Sequence, residues 1–515
     1  MGSVSFAKGV EEGDIQDQDI LENEENLPPT TRKQEPSLKL EDNGQNVGNL
    51  PDEPTKPEGS EPTRTKVGDQ GTEEDGEGGS KAPIARSLPT RSAVTSWAAL
   101  KTAIEAGGTL TLDLPEAIEA DSLITIPEGA DITLRADALG STITRKDLKT
   151  GEFVVSSGAK LTLEGELTIS HATNLNGANF VRVESGGQLE LKGQLQADAP
   201  NTEYGNQNTD RNGEFIQSFI DCSGTLTMSD GSMVSGWTQN KQADRHNVSY
   251  DPGAAIRISG EGAQFIMNGG TITGNTNTKV INTMASSCIQ ILDGASFQMH
   301  GGSITGNGKD AMDGTRRDNS TLGGGVYVSA ATFTMTGGII SDNEAQNGGG
   351  VYLTNDAVFT MTGGSIERNT LCSRGNPSQG GGVYVGSGCT FYMESADANA
   401  PAAIKENTLY TDFGLYRYYQ YFGGGVYVSG TFTMKDGLIS GNKALTGSGN
   451  GGGGIFNNGV VMLEGGEVSG NSAFFDGEHT GYLSYGGGVF NQSESVLSAS
   501  GTRFLRNTAM YGGGI

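Results

Sequence analysis

Side chains able to do chemistry are spread unevenly along this chain, and the densest cluster is aromatic. The segment 408–422 holds Tyr416, Tyr418, Tyr419 and Tyr421, and the segment 472–485 holds Phe474, Phe475 and Tyr482. Such rings bring large apolar faces, and tyrosine adds a hydroxyl, so they suit stacking and hydrogen bonding to a sugar or a protein surface. Acid–base and metal chemistry find less to work with. His171, His246, His300 and His479 show no metal-ligand spacing. The glycine–aspartate nonapeptide that binds calcium in some solenoids is absent. We therefore assign no catalytic residue, no metal and no cofactor, and expect a protein that is not an enzyme.

A second set of side chains recurs at intervals, and the recurrence identifies the elements that must position the rest. Its clearest copy runs from Gly323-Gly-Gly-Val-Tyr-Val through Phe333-Thr-Met335 to Ile340-Ser-Asp-Asn343. The triple glycine returns at Gly348, Gly380, Gly423, Gly452, Gly486 and Gly512, and spacing between starts varies from 25 to 43 residues. From first glycine to closing Asn the distance is 19 to 21 residues in five copies and 27 in the sixth. The unit is constant, and most of the variation sits after the Asn. A coil with one permissive loop behaves this way.

Within a unit, three short segments alternate with period two, separated by glycine-rich turns. Segments this short cannot bury an apolar face alone. Stacking successive coils in parallel joins those faces into one core. The sequence thus predicts an all-β chain, a right-handed parallel β-helix with three short strands per coil. Weaker copies at Phe297, Phe265, Leu226, Leu189 and Leu161 bring the second-strand count to 11. At ~4.8 Å per strand that makes a monomeric rod on the order of 50 Å long. Ahead of it, Trp97, Leu100 and Ile104 follow helical spacing, with Ser96 as N-cap and Gly107-Gly108 as stop. A capping helix over 94–106 would plug the open end of the stack.

The repeat then assigns roles to its columns. The closing asparagines Asn275, Asn307, Asn343, Asn369, Asn407, Asn442, Asn471 and Asn507 read as structural, since stacked amides hydrogen-bond along a column. The residue between the paired valines points outward and is Tyr327, Tyr352, Tyr384, Tyr427, Phe456 or Phe490. Two readings are open for that column. It is a stripe on which sugar rings or a partner stack, or it is a ladder stabilising neighbouring strands through cross-strand pairs, and the ladder is favoured. The two aromatic insertions leave the same turn and could overhang the column. Tyr416, Tyr418, Tyr419, Tyr421, Phe474, Phe475, Tyr482, Tyr384 and Tyr427 are thus the candidate ligand contacts. The competing reading folds these loops onto the rod.

Residues 1–90 differ in kind. They hold nine of the 15 prolines and one aromatic, Phe6, and residues 1–81 carry 20 acidic against 8 basic side chains. Such a segment buries too little apolar surface to offset its ordering entropy, and reads as a disordered acidic linker ahead of a β-helix over 91–515. Of the formal charge of −27, this leaves −15 on the remaining 434 residues, so neither part has the basic surplus that nucleic-acid binding needs. No apolar run approaches a membrane span. The opening Met1-Gly-Ser-Val-Ser-Phe-Ala7 resembles the tail of a signal peptide, and the chain stops at a coil start, Gly512-Gly-Gly-Ile515, so further sequence at both ends is expected. Cys222, Cys288, Cys372 and Cys389 are too few for a disulfide framework. Four free thiols are favoured over a Cys372–Cys389 bridge.

At the Gly-Gly-Gly-Val-Tyr-Val and Ile-Ser-Gly-Asn segments the chain resembles bacterial β-helical surface proteins, in particular polymorphic outer-membrane protein repeats. Gly253-Ala-Ala-Ile256 and the triple glycines match that family's GGA-[ILV] mark loosely, and Phe504-Leu-Arg-Asn507 matches its F-x-x-N outright. Ile272, Ile304, Ile340, Ile366, Ile404, Ile439 and Val468 replace the Phe elsewhere. The resemblance covers about residues 250–515, and 95–250 resemble only a generic pectin-lyase-like β-helix. It implies secretion, display at the cell surface and adhesion to carbohydrate or a host surface protein. The alternatives are a polysaccharide lyase or glycoside hydrolase of this fold, and a passive spacer. Asn208-Thr-Asp210 matches one polygalacturonase motif, but the partner motifs are missing.

Overall fold

Alternation of small polar and large apolar residues, renewed every coil, gives three parallel sheets. The computed structural model describes residues 90–146, 152–171, 179–198, 218–240, 253–278, 288–308, 321–371, 378–409, 421–444, 450–473 and 483–515. All belong to the unit Ile84–Ile515, and the linker reading for 1–90 lies outside them but for Thr90. In the order the repeat meets them, the sheets have 12, 14 and 13 strands. The chain winds through them as a right-handed parallel β-helix. Register is strict: Val326 pairs with Val351, Val351 with Val383 and Val383 with Val426. Both valines of Val326–Ser329 are fully buried, as are Phe333, Met335 and Ile340 to within 1%.

One continuous core results. Phe265, Phe297, Phe333, Phe359, Phe391 and Phe432 stack down it with ring centroids 4.5–4.7 Å apart. Burying each such ring contributes about 1.5–3 kcal/mol. Methionines two residues on from these rings form a parallel column, each with no exposure.

The helix α1 (Trp97–Glu105) starts at Ser96, whose hydroxyl accepts from the Ala99 N–H at 3.2 Å. Its position corrects the coil count. The second sheet begins at Thr90–Ala93, but the third begins only at Ala117–Ala120 and the first at Ile124–Ile126. In the first coil α1 occupies the place those two sheets fill in later coils, and it packs on their first strands. The alternating segments behind it complete full coils, so the second sheet holds 14 strands instead of 11. At ~4.8 Å per strand the stack is roughly 60 Å long. The signal was Leu110/Leu112 and Ile132/Leu134, paired in register. No helix among the described residues is long and apolar enough to cross a membrane.

Candidate functional site

The corner between the third and first sheets carries nearly all the length variation, and its construction begins with one residue. The residue before each column asparagine has a left-handed backbone: Gly274, Gly306, Gly441 and Gly470, but also Asp342, Arg368, Glu406 and Arg506, with φ of 52–68°. This conformation breaks the strand alternation and turns the next side chain inward. Asn343 shows the outcome. Its Nδ2 donates to Asn369 Oδ1 at 3.0 Å and to the Ile304 carbonyl at 2.9 Å. Its Oδ1 accepts from the backbone N–H and the Nδ2 of Asn307, both at 3.0 Å. The chain of amides runs unbroken from Asn275 to Asn507. Interior members spend every hydrogen-bonding position inside the stack, so the column offers a ligand nothing.

Three further sheets, which the sequence reading missed, lie at this corner: a two-stranded one of Thr238–Asn240 and Thr276–Thr278, and two of four strands. Glu344–Ala345, Thr370–Leu371, Thr408–Leu409 and Lys443–Ala444 form one of four strands. Ser378–Gln379, Tyr421–Phe422, Asn450–Gly451 and Ser484–Tyr485 form the other. The loops run from the first to the second. Their only trace in the sequence is a small or branched apolar residue two positions after the asparagine: Ala345, Leu371, Leu409, Ala444 and Ala473. Each of these is buried.

The triple glycine closes the corner. Gly380 has φ of 70°, which favours glycine. A Cβ on Gly382 would lie 2.8 Å from the Gly425 carbonyl, 2.9 Å from Asn407 Nδ2 and 2.9 Å from Ile404 Cγ2. Glycine and asparagine thus share one volume. The backbone N–H groups of Gly323, Gly324 and Gly325 all donate to carbonyls of the next coil, at 2.9, 3.1 and 3.2 Å.

Next comes the aromatic column. Ring centroids are 5.6 Å apart for Tyr327–Tyr352, 4.3 Å for Tyr352–Tyr384, 5.1 Å for Tyr384–Tyr427 and 5.4 Å for Tyr427–Phe456, all within 10° of parallel. Each ring covers its neighbour's face. Only edges and hydroxyls look outward, which leaves no open face inside the ladder for a sugar. Stacked this way the rings tie neighbouring strands together, with each pair contributing about 0.5–1.5 kcal/mol. Burial pushes the phenols of Tyr352 and Tyr384 above their ordinary range.

Of the candidate contacts, Tyr384 is a half-buried rung and Tyr427 is only 6% exposed. Tyr421 is corrected: it is 1% exposed and packs with Leu371 and Leu409 between the two four-stranded sheets. Strand alternation explains this, because Tyr421 faces inward and its neighbour Phe422 outward, against Phe456 at 4.4 Å. Tyr416, Tyr418, Tyr419, Phe474, Phe475 and Tyr482 lie outside the described residues, as do Asn208–Asp210, His246 and His479. The overhang expected of the two insertions rests on those segments.

Elsewhere the chemistry is local. Among the described residues no group of three or more His, Cys, Asp or Glu side chains could hold a metal ion. His300 Nδ1 lies 2.9 Å from Thr336 Oγ1 on the surface. Burial raises the Glu152 carboxyl, opposed by Arg182, whose Nε lies 3.2 Å from it. Burial also raises Glu367, but hydrogen bonds from Lys405, Ser365 and Arg368 outweigh it and hold that carboxyl below its usual range. Cys222, Cys288 and Cys389 are buried free thiols, and burial pushes Cys222 up to about 12. Compared with protein families, with curated proteins and with solved structures, the chain matches none.

Proposed function

We propose that this chain is a secreted, surface-displayed bacterial protein that acts as a stalk and adhesin, meeting carbohydrate or host surface protein through loops on one edge. One observation carries the reading: the repeat varies in length mainly at a single corner, where two short ladders hold the loop ends. Inside that corner the Asn, Gly and aromatic columns are consumed by hydrogen bonding and packing. Variation without structural consequence is what a display edge needs. The resemblance to polymorphic outer-membrane protein repeats supports the same reading.

A second reading, a passive spacer, draws on the face-to-face tyrosines, which close the most obvious sugar platform. One experiment separates the two. The full chain is applied to glycan arrays and host-cell surfaces beside a variant with 411–419 replaced by a glycine–serine linker. Binding by the parent and its loss in a folded variant support the adhesin. A parent that binds nothing supports the spacer, and depolymerisation of pectins or host glycans would support the enzyme alternative.

A further inference from the structure

The aromatic ladder holds something the stack does not require. Phe456 and Phe490 fill the same column, yet positions 327, 352, 384 and 427 carry hydroxyls. Tyr352 and Tyr384 stand opposite each other on adjacent parallel strands, centroids 4.3 Å apart and planes within 4°. Both rings are half-buried, so they are held in place yet reachable from solvent. In a tyrosine the outer edge bears the hydroxyl and the two ring carbons beside it, the positions at which a phenoxyl radical carries its spin.

We propose that Tyr352 and Tyr384 are a site of oxidative dityrosine crosslinking. A one-electron oxidant, such as a heme peroxidase turned over by hydrogen peroxide, removes one hydrogen atom from each phenol. The two radicals join through a Cε of each ring, and each joined carbon then passes its hydrogen to its own oxygen, restoring both phenols. Two phenols and one peroxide give one biaryl and two waters, so atoms and electrons balance. Parallel register holds the two rings side by side with centroids 4.3 Å apart, and bond formation requires both to tilt out of the stack until a Cε of each meets the other. The neighbouring pairs are set wider, at 5.1 Å for Tyr384–Tyr427 and 5.6 Å for Tyr327–Tyr352. The bond would staple two adjacent coils beside the corner from which the loops leave. This inference does not depend on the adhesin reading.

The test is peroxidase and hydrogen peroxide on dilute full-length chain, read by dityrosine emission, intact mass and peptide mapping. The expected product is a monomer lighter by two hydrogens, whose principal crosslinked peptide joins Tyr352 to Tyr384. Tyr384→Phe keeps the ring stack and should lose that peptide and most of the emission, and Tyr352→Phe should do the same. Tyr327→Phe should retain both. Circular dichroism confirms that each variant is folded. Crosslinks confined to other tyrosines, intermolecular dimers alone, no dityrosine at all, or unchanged emission in both Tyr352→Phe and Tyr384→Phe would overturn the proposal.

Discussion

The coils before residue 240 and those after residue 253 share three sheets and one core, yet they fill the loop corner differently. In the coils up to residue 198 third-sheet strands run long, as in Glu166–His171 and Gln194–Asp198, and the position that later becomes Asn is the exposed Asp198; the next coil already has the short strand Met233–Ser235 and the left-handed Gly236, with Trp237 where Asn later stands. Ahead of two of the early first-sheet strands stand Phe180 and Phe219, in an aromatic chain that starts at Trp97 and Phe153. In the late coils the third strand shortens to three residues, a left-handed residue follows, and the asparagine turns in. The residue before the first-sheet strand is small from there on: Ala255 and Cys288 after Phe219, then Gly325 onward. The two regions solve one volume problem. An aromatic ring fills the corner in one, and an amide with an isoleucine methyl fills it in the other. Asparagine and glycine are therefore a single device.

Five substitutions probe that comparison, four with an expected effect, taken from the largest downward, and Asp198→Ala as the control for one of them. Phe180→Ala empties the early corner and should cost about 3–5 kcal/mol in denaturant melts. A cost below ~1 kcal/mol would mean that the early corner collapses onto the gap and is not ring-filled in any useful sense. Asn407→Ala strips the acceptor from the backbone N–H and Nδ2 of Asn369, two buried donors. Leaving them unpaired should cost about 3 kcal/mol. Asp198→Ala, at the matching early position, should stay within ~0.5 kcal/mol. Equal effects at the two sites would erase the distinction.

Gly382→Ala should cost about 2 kcal/mol through crowding of Asn407 and the Gly425 carbonyl. Combined with Asn407→Ala it should cost less than the sum by at least ~0.5 kcal/mol, since one removes what the other strikes. Strict additivity in a double-mutant cycle would show glycine and asparagine to be independent. Last is Glu406→Gly. Glu406 is exposed and has φ of 58°, a conformation that costs a non-glycine residue about 1–2 kcal/mol. Set against the greater entropy glycine loses on folding, the melting curve should show a gain of roughly 0.5 kcal/mol.

Much of this architecture was legible from residues alone because the repeat states it many times. Val326/Val328, Phe333/Met335 and Ile340 alternate with period two, and that fixed both strand number per coil and the inward face. The asparagine column was legible for the same reason. The second-sheet strands left uncounted, Thr90–Ala93, Thr109–Asp113 and Asp131–Arg135, lie on either side of α1, where the first coil has a helix in place of two of its strands and the repeat is broken. Tyr421 was misplaced because a two-residue strand has no period to read. Its inward direction is set by pairing with Ser378, across a gap of variable length. The ladder's closed ring faces were beyond the sequence too, since alternation gives a side of the sheet and not a ring plane.

Hydrogen exchange of the asparagine side-chain amides, in chain selectively labelled at Asn, tests the central claim most directly. The Nδ2 protons from Asn307 through Asn471 should be protected like backbone amides of the core strands, while those of the exposed Asn399 and Asn458 exchange freely. Fast exchange along the whole column would mean that these amides face water, and the corner described here would not exist.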